Sequence, residues 1–412
     1  MSLKPIVRVW TYRNYALFMG GMAPSLVTTW MHRVGTGWLA WELTQSPTWL
    51  GIVAAADLAP MLLLAMLAGA ITDRHNPVLQ QKIAEGLTLV QSLALALLTI
   101  TGVMTIELLF VLSLLLGCVH PFASTARHAI VPATLPRSEL ATGLALDSAL
   151  FNGSRFVGPA LAAFVIPLFG VGGTFVAHVI GCGVFLTALF FIELPPPVRK
   201  PRGTRNILAD VGEGLAYIRN HPGIGPMFLL LAFTGTCIRP LQDMLPGFAG
   251  EVFHAGAVGL AWLTSGIGIG AMASAASIAV YGRTSGLTTI AIVGFLGQSL
   301  SLLGFLATDH LWIAFAFAIL LGFAINSMST STQALVQSAV DDAMRGRVMS
   351  LYAFIFRGMP AAGALIIGLV AETVGLRLAF TGAAVVCLAA WLLIAISRRA
   401  SMTMALERDH SR

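Results

Sequence analysis

The chain has 412 residues, of which 57% are hydrophobic and 10% charged, with a formal net charge of +6 at pH 7. Ordinary soluble domains carry about 25% charged residues. The composition therefore excludes a soluble globular fold and implies a chain solvated largely by lipid.

The opening stretch, "MSLKPIVRVWTYRN", is polar and basic and lacks the pattern of a cleavable signal. Apolar runs then predict twelve transmembrane helices, at 14–43, 48–71, 79–101, 106–131, 142–168, 172–193, 223–249, 256–281, 286–307, 310–336, 346–371 and 375–396. Each can cross a hydrocarbon core of about 30 Å. The four cysteines, Cys118, Cys182, Cys237 and Cys387, fall in four different runs, which reads as small buried residues with no disulfide or metal signal.

The expected organisation is an N-terminal six-helix bundle over 1–194, a linker over 195–222 and a C-terminal six-helix bundle over 223–412. The linker opens with "LPPPVRKPRG", which cannot continue a helix. In "NILADVGEGLAYIRNHP", Ile207, Leu208, Val211, Leu215 and Ile218 share one face, predicting an amphipathic helix at the membrane surface.

With the N-terminus inside, eighteen lysines and arginines lie on the cytoplasmic side and only Arg377 outside. This partition predicts that both termini and the linker are cytoplasmic. The basic balance is thus a topology signal rather than a nucleic-acid footprint.

The halves also repeat. Residues 117–170 align without gaps on 322–375, with eleven identities that include Gly117/Gly322, Phe151/Phe356, Gly158/Gly363 and Gly170/Gly375. Two six-helix halves related by an axis along the membrane normal are a recurring transporter plan.

Between spans two and three the chain reads "GAITDR", residues 69–74. In a twelve-span chain with a 6+6 repeat, this Gly-x-x-x-Asp-Arg resembles the cytoplasmic motif of the major facilitator superfamily. The stretches "WMHRVGTGWLAWELTQSPTWLG", "PFASTARHAIVPATLPRSELATGLAL", "RFVGPALA" and "DDAMRGRVMSLY" further resemble its drug:proton antiporter branch, which contains macrolide-efflux and enterobactin-export proteins. The resemblance implies an all-α membrane protein that exports amphipathic small molecules (drug, siderophore or secondary metabolite) in exchange for protons. It would lie in the inner membrane, as a monomer, with no cofactor. An importer or facilitator on the same fold, and a membrane sensor, are the alternatives. No GxxxxGK[ST], GxSxG or HExxH sequence supports a primary pump or an enzyme.

Candidate residues follow from charge inside apolar runs, where an unpaired charge costs a few kcal/mol or more. Gly69, Asp73 and Arg74, with Arg345 and Arg347 at the start of span eleven, read as a conformational latch that breaks in one state. Arg127 and Asp147 lie at similar depths in spans four and five and read as a structural ion pair. Arg155, Arg239, Asp243 and Arg357 read as cavity-lining residues, with Pro240 predicting a kink in span seven.

Arg33 and Asp57 fall at equal depth in consecutive antiparallel spans, which predicts a pair bordering the cavity, with Asp57 first and Asp243 second as proton-coupling carboxylates. His32, His120 and His178 read as packing residues, and no His/Asp/Glu spacing suggests a metal. A subset of the aromatics, Trp30 and Phe151 among them, could wall a drug-sized pocket.

Overall fold

A computed structural model describes residues 4–194, 207–281 and 286–406. The first half contains α1 (Lys4–Val9), α2 (Arg13–Thr44), α3 (Pro47–Arg74), α4 (Pro77–Ile100), α5 (Ile106–Ala133), α6 (Leu140–Phe169) and α7 (Gly172–Phe190). After the linker helix α8 (Ile207–Asn220) come α9 (Ile224–Phe233), α10 (Leu241–Gly247), α11 (Gly256–Tyr281), α12 (Leu287–Leu306), α13 (Leu311–Ala339), α14 (Arg345–Val374) and α15 (Leu376–Leu406). Helix starts follow local chemistry. Pro77 opens α4 at a position where its missing N–H costs nothing, and the Asn76 side chain accepts the Val78 amide.

Eleven spans among the described residues are long and apolar enough to cross a membrane. The predicted span not among them is the first, 14–43, which corresponds to α2. Its 32 residues reach about 48 Å, but Arg13, His32, Arg33 and Glu42 make it less apolar than the others.

The described residues pack as two compact units. The first lies within Met1–Gln45, Ile52–Pro201 and Ala255–Ser265, the second within Ser46–Gly51, Arg202–His254 and Gly266–Arg412. In the first unit α2 packs against α6 and α7, and α4 against α5 and α7. One end of this bundle is closed by Tyr15, Phe18, Met22, Ile130, Phe185 and Leu189, with Phe18 and Phe185 meeting edge to face at 5.3 Å. In the second unit α12 packs against α13 and α15, and α14 against α8 and α15.

The predicted repeat has a structural counterpart in each unit. Gly117 on α5 sits where a Cβ would lie 2.5 Å from the Ala56 carbonyl oxygen of α3, and Gly322 on α13 where one would lie 2.1 Å from the Ile267 carbonyl oxygen of α11. Both positions need the missing side chain for backbone-to-backbone approach. Gly170 and Gly375 end α6 and α14 with φ of 68° and 83°, a region that penalises a Cβ.

Span seven departs from a simple kink. It runs from α9 through a π-helical turn at Thr234–Ile238, then α10, then a second π-helical turn at Phe248–Val252. The Arg239 amide donates to the Thr234 carbonyl at 2.9 Å, five residues back. Pro240 has no N–H to give, and the widened turn before it absorbs the mismatch.

The linker helix α8 lies against α14. A Cβ on Gly214 would meet Leu351 Cδ1 at 2.8 Å, Arg347 Nη1 pairs with Glu213 Oε2 at 2.7 Å, and Tyr217 Oη donates to Asp341 Oδ2 at 3.1 Å. Ile218 is buried, whereas Val211 and Leu215 are 41% and 51% exposed. The apolar face expected at the membrane surface is thus divided, because Ile218 turns into the protein. The preceding part of the linker, and the side chains of Ile207 and Leu208, lie outside the described residues.

Between α8 and α9, His221 Nδ1 accepts the amides of Gly223 and Ile224 at 3.2 and 3.1 Å, satisfying donors at the α9 N-terminus. Burial holds this imidazole below the ordinary histidine range, against the opposing pull of Asp341. His221 therefore binds fewer protons folded than unfolded. Its contribution is full above the unfolded value of about 6.5 and is lost as pH falls through the lower folded value. Thermal stability of the wild type will fall between about pH 7 and pH 5 by more than that of His221→Asn, whose side-chain oxygen accepts the same amides without titrating. Equal slopes in the two melting series would remove His221 from the pH response.

Candidate functional site

Asp57 lies on α3, beside Pro60 and within an apolar stretch. His120 Nδ1 of α5 stands 3.3 Å from Asp57 Oδ1, at ion-pair distance. The close approach of α5 to α3 at Gly117, one turn earlier, brings the two side chains together. Arg33 of α2 bears electrostatically on Asp57.

A second polar cluster lies in the same bundle. The His32 and His178 rings lie 4.9 Å apart, and His32 Nε2 has no hydrogen-bond partner among the described residues. Thr28 Oγ1 is 3.2 Å from His178 Nδ1, and Cys182 Sγ is 3.6 Å from His178 Nε2. Ser25 Oγ donates to Glu85 Oε1 of α4 at 2.8 Å. Glu85 is only 6% exposed. Asp57, His120, His32, His178 and Glu85 thus lie within one bundle among hydroxyl and thiol groups.

Arg127 and Asp147 meet as their depths implied. Arg127 Nη2 and Nε donate to Asp147 Oδ1 at 2.6 and 3.0 Å, with both side chains largely buried. The Arg127 guanidinium also stands 5.4 Å from the Phe151 ring centroid, and Phe151 meets Trp30 edge-on at 6.3 Å. Above Trp30 stand two cations, Arg33 at 5.7 Å and Arg155 at 5.3 Å from the ring centroid.

In the second unit Arg239 Nη1 donates to the Phe356 carbonyl at 2.6 Å, and its guanidinium covers the Phe356 ring at 4.2 Å. Phe356 stacks on Tyr352, whose hydroxyl donates to the Ser329 carbonyl at 3.0 Å. Asp243 follows Pro240 at the start of α10 and is half-buried, while Arg357 is exposed.

Of the residues read as a latch, Asp73 and Arg74 are exposed at the end of α3. Arg345 pairs with Asp342 at 2.7 Å and Arg347 with Glu213. Thr72, inside "GAITDR", is buried, with its Oγ1 2.9 Å from Thr125 Oγ1 and 3.0 Å from Gln80 Oε1, tying α3 to α4 and α5.

Sequence reasoning passed over His120 as a partner and did not single out Glu85. Its signal was present: a lone carboxylate inside the third apolar run, where an unpaired charge is costly.

Long apolar helices that hold a few charged side chains among them define a class of helical membrane protein, and solved structures of transporters show the same fold. The nucleoside transporter NupG superposes with a TM-score of 0.71 at 13% identity, covering 97% of this chain and 99% of that one. A POT family transporter in complex with 5-aminolevulinic acid gives a TM-score of 0.75 at 12% identity, covering 94% and 96%. The family described as "Transmembrane secretion effector" matches residues 15–410, and the chain belongs to this family of major facilitator transporters. Its relatives include Macrolide efflux protein A of Streptococcus pyogenes, 21% identical with 92% of this chain and 95% of that one covered. The Staphyloferrin A transporter of Staphylococcus aureus is 24% identical, with 91% and 92% covered. Multidrug efflux pump Tap of Mycolicibacterium fortuitum is 23% identical, with 83% and 85% covered.

Proposed function

We propose that this protein is a proton-coupled exporter of amphipathic small molecules, working by alternating access in the inner membrane with both termini in the cytoplasm. Its membership of a secretion family and its relatives' names, with macrolide, staphyloferrin A and multidrug transport among them, support export of a small molecule. The observation that carries proton coupling is the Asp57–His120 pair, an acid and a base 3.3 Å apart inside the first bundle. A carboxylate held among apolar helices can exchange its proton for a change of partner, and such chains of Asp, Glu and His mark proton routes in transporters. Arg33 is assigned as a fixed cation acting on Asp57, and Asp243 as the second carboxylate. Reconstituted protein given an outwardly imposed proton gradient should drive solute against its concentration gradient. Flux that ignores the proton gradient would reduce the reading to a facilitator.

Asp73, Arg74, Gly69, Arg345 and Arg347 are proposed as the conformational latch. Asp73→Asn should cut flux by about tenfold while leaving expression intact. Normal flux in that variant would remove the role.

A further inference from the structure

Pro47 opens α3, and Ser46 precedes it at the usual capping position. Ser46 caps only weakly in this structure, its Oγ accepting the Trp49 amide at 3.4 Å. The stronger partner comes from α14. Glu372 Oε2 accepts the Ser46 hydroxyl at 2.7 Å and the Thr48 amide at 3.1 Å. Glu372 lies in the last turn of its own helix, the end where a carboxylate is unfavourable. It stands at the first turn of α3, the end where a carboxylate is favourable.

The two helices meet backbone to backbone at this point. Ala364, Gly368 and Glu372 follow one another at four-residue steps along one face of α14. A Cβ on Gly51 would lie 2.5 Å from the Ala364 carbonyl oxygen, and one on Gly368 2.7 Å from the Pro47 carbonyl oxygen. Thr48 Oγ1 stands 3.4 Å from the Gly368 carbonyl oxygen. Ser46–Gly51 accordingly groups with the second unit, while α3 from Ile52 onward groups with the first and carries Asp57. The start of α11, the counterpart of α3 in the second half, makes the reverse crossing. Its Trp262 meets Phe164 of α6 edge to face at 6.5 Å, within the first unit. That contact is apolar, whereas the hold on α3 consists of hydrogen bonds onto one carboxylate oxygen.

A helix shared by two units must release one of them when they rock. Ser46 eases the release, because its Oγ can close fully on the Thr48 or Trp49 amide once Glu372 has gone. We propose that Glu372 is a detachable clasp: it caps α3 from α14 in this structure and hands the helix end back to Ser46 when the two part. The clasp rests on the transport reading for the motion it serves, and its test uses no transported solute.

Pro47→Cys places a reporter thiol under the clasp, at a buried position against Gly368. Purified full-length protein in detergent is treated with a maleimide, and the rate at position 47 is read by peptide mass spectrometry, which separates it from the native cysteines. Adding Glu372→Ala should raise that rate about tenfold, and Glu372→Gln, which keeps an acceptor, should raise it less. Amide hydrogen exchange over Ser46–Gly51 should quicken in step. A thiol rate unmoved by Glu372→Ala would overturn the clasp. Faster amide exchange without faster labelling would overturn it too, since that marks a static cap. Should Pro47→Cys fail to give monodisperse protein, Leu50→Cys, 2% exposed in the same turn, takes its place and is read the same way. Failure of the clasp leaves the transport reading standing, and absence of flux in a separate assay would leave a positive labelling result standing.

Discussion

Asp147→Asn will lower the folded yield and melting temperature more than the double replacement Arg127→Met/Asp147→Asn. The pair lies inside the first bundle, with side chains 15% and 12% exposed and two hydrogen bonds onto one carboxylate oxygen. Removing the carboxylate strands the Arg127 guanidinium in a medium that solvates it poorly. Breaking a buried pair from one side costs about 3–5 kcal/mol, whereas replacing both partners is often close to neutral. Stacking on Phe151 returns a fraction of this, about 0.5–2 kcal/mol. Size-exclusion profiles of detergent extracts after stepwise heating will rank the wild type, Asp147→Asn, Arg127→Met and the double variant. A double variant as damaged as the sum of its singles would show that the two residues do not depend on each other.

The second large effect concerns coupling. Asp57→Asn will abolish flux driven by a proton gradient while leaving exchange of labelled for unlabelled solute across the same membrane. Exchange needs the substrate site and the rocking motion but no net proton movement, so the two assays separate coupling from folding and binding. Loss of both together would make Asp57 a structural residue. Retention of proton-driven flux would move the coupling group elsewhere, to Asp243 first and then to Glu85, hydrogen-bonded to Ser25. Arg33→Gln combined with Asp57→Asn extends the test. If the arginine is the fixed cation of this site, the combination will recover yield without recovering proton-driven flux.

The helices were legible because a membrane imposes a long apolar run on each of them. The repeat was legible at Gly117/Gly322 and Gly170/Gly375, since a missing side chain is the only solution at those points. Depth arithmetic placed Arg127 opposite Asp147 because two helices of one hairpin leave little choice of neighbour. The same arithmetic gave Asp57 only a depth. It could not give the azimuth around α3, and so it did not single out His120 on α5 as the near partner. Glu85 was hidden for a related reason: its hydroxyl donor, Ser25, lies 60 residues away on another helix. The π-helical turns of span seven leave no mark in composition, because they are a matter of hydrogen-bond register.

Those turns have a mechanical consequence. Each π-helical turn, at Thr234–Ile238 and at Phe248–Val252, stores one residue more than an α-helix would use over the same rise. Pro240 and Pro246, in the stretch between the turns, have no N–H with which to close a new backbone bond, so the extra residue of each turn is pinned in place. Span seven therefore presents Arg239 and Asp243 about 100° around the axis from where an uninterrupted continuation of α9 would put them.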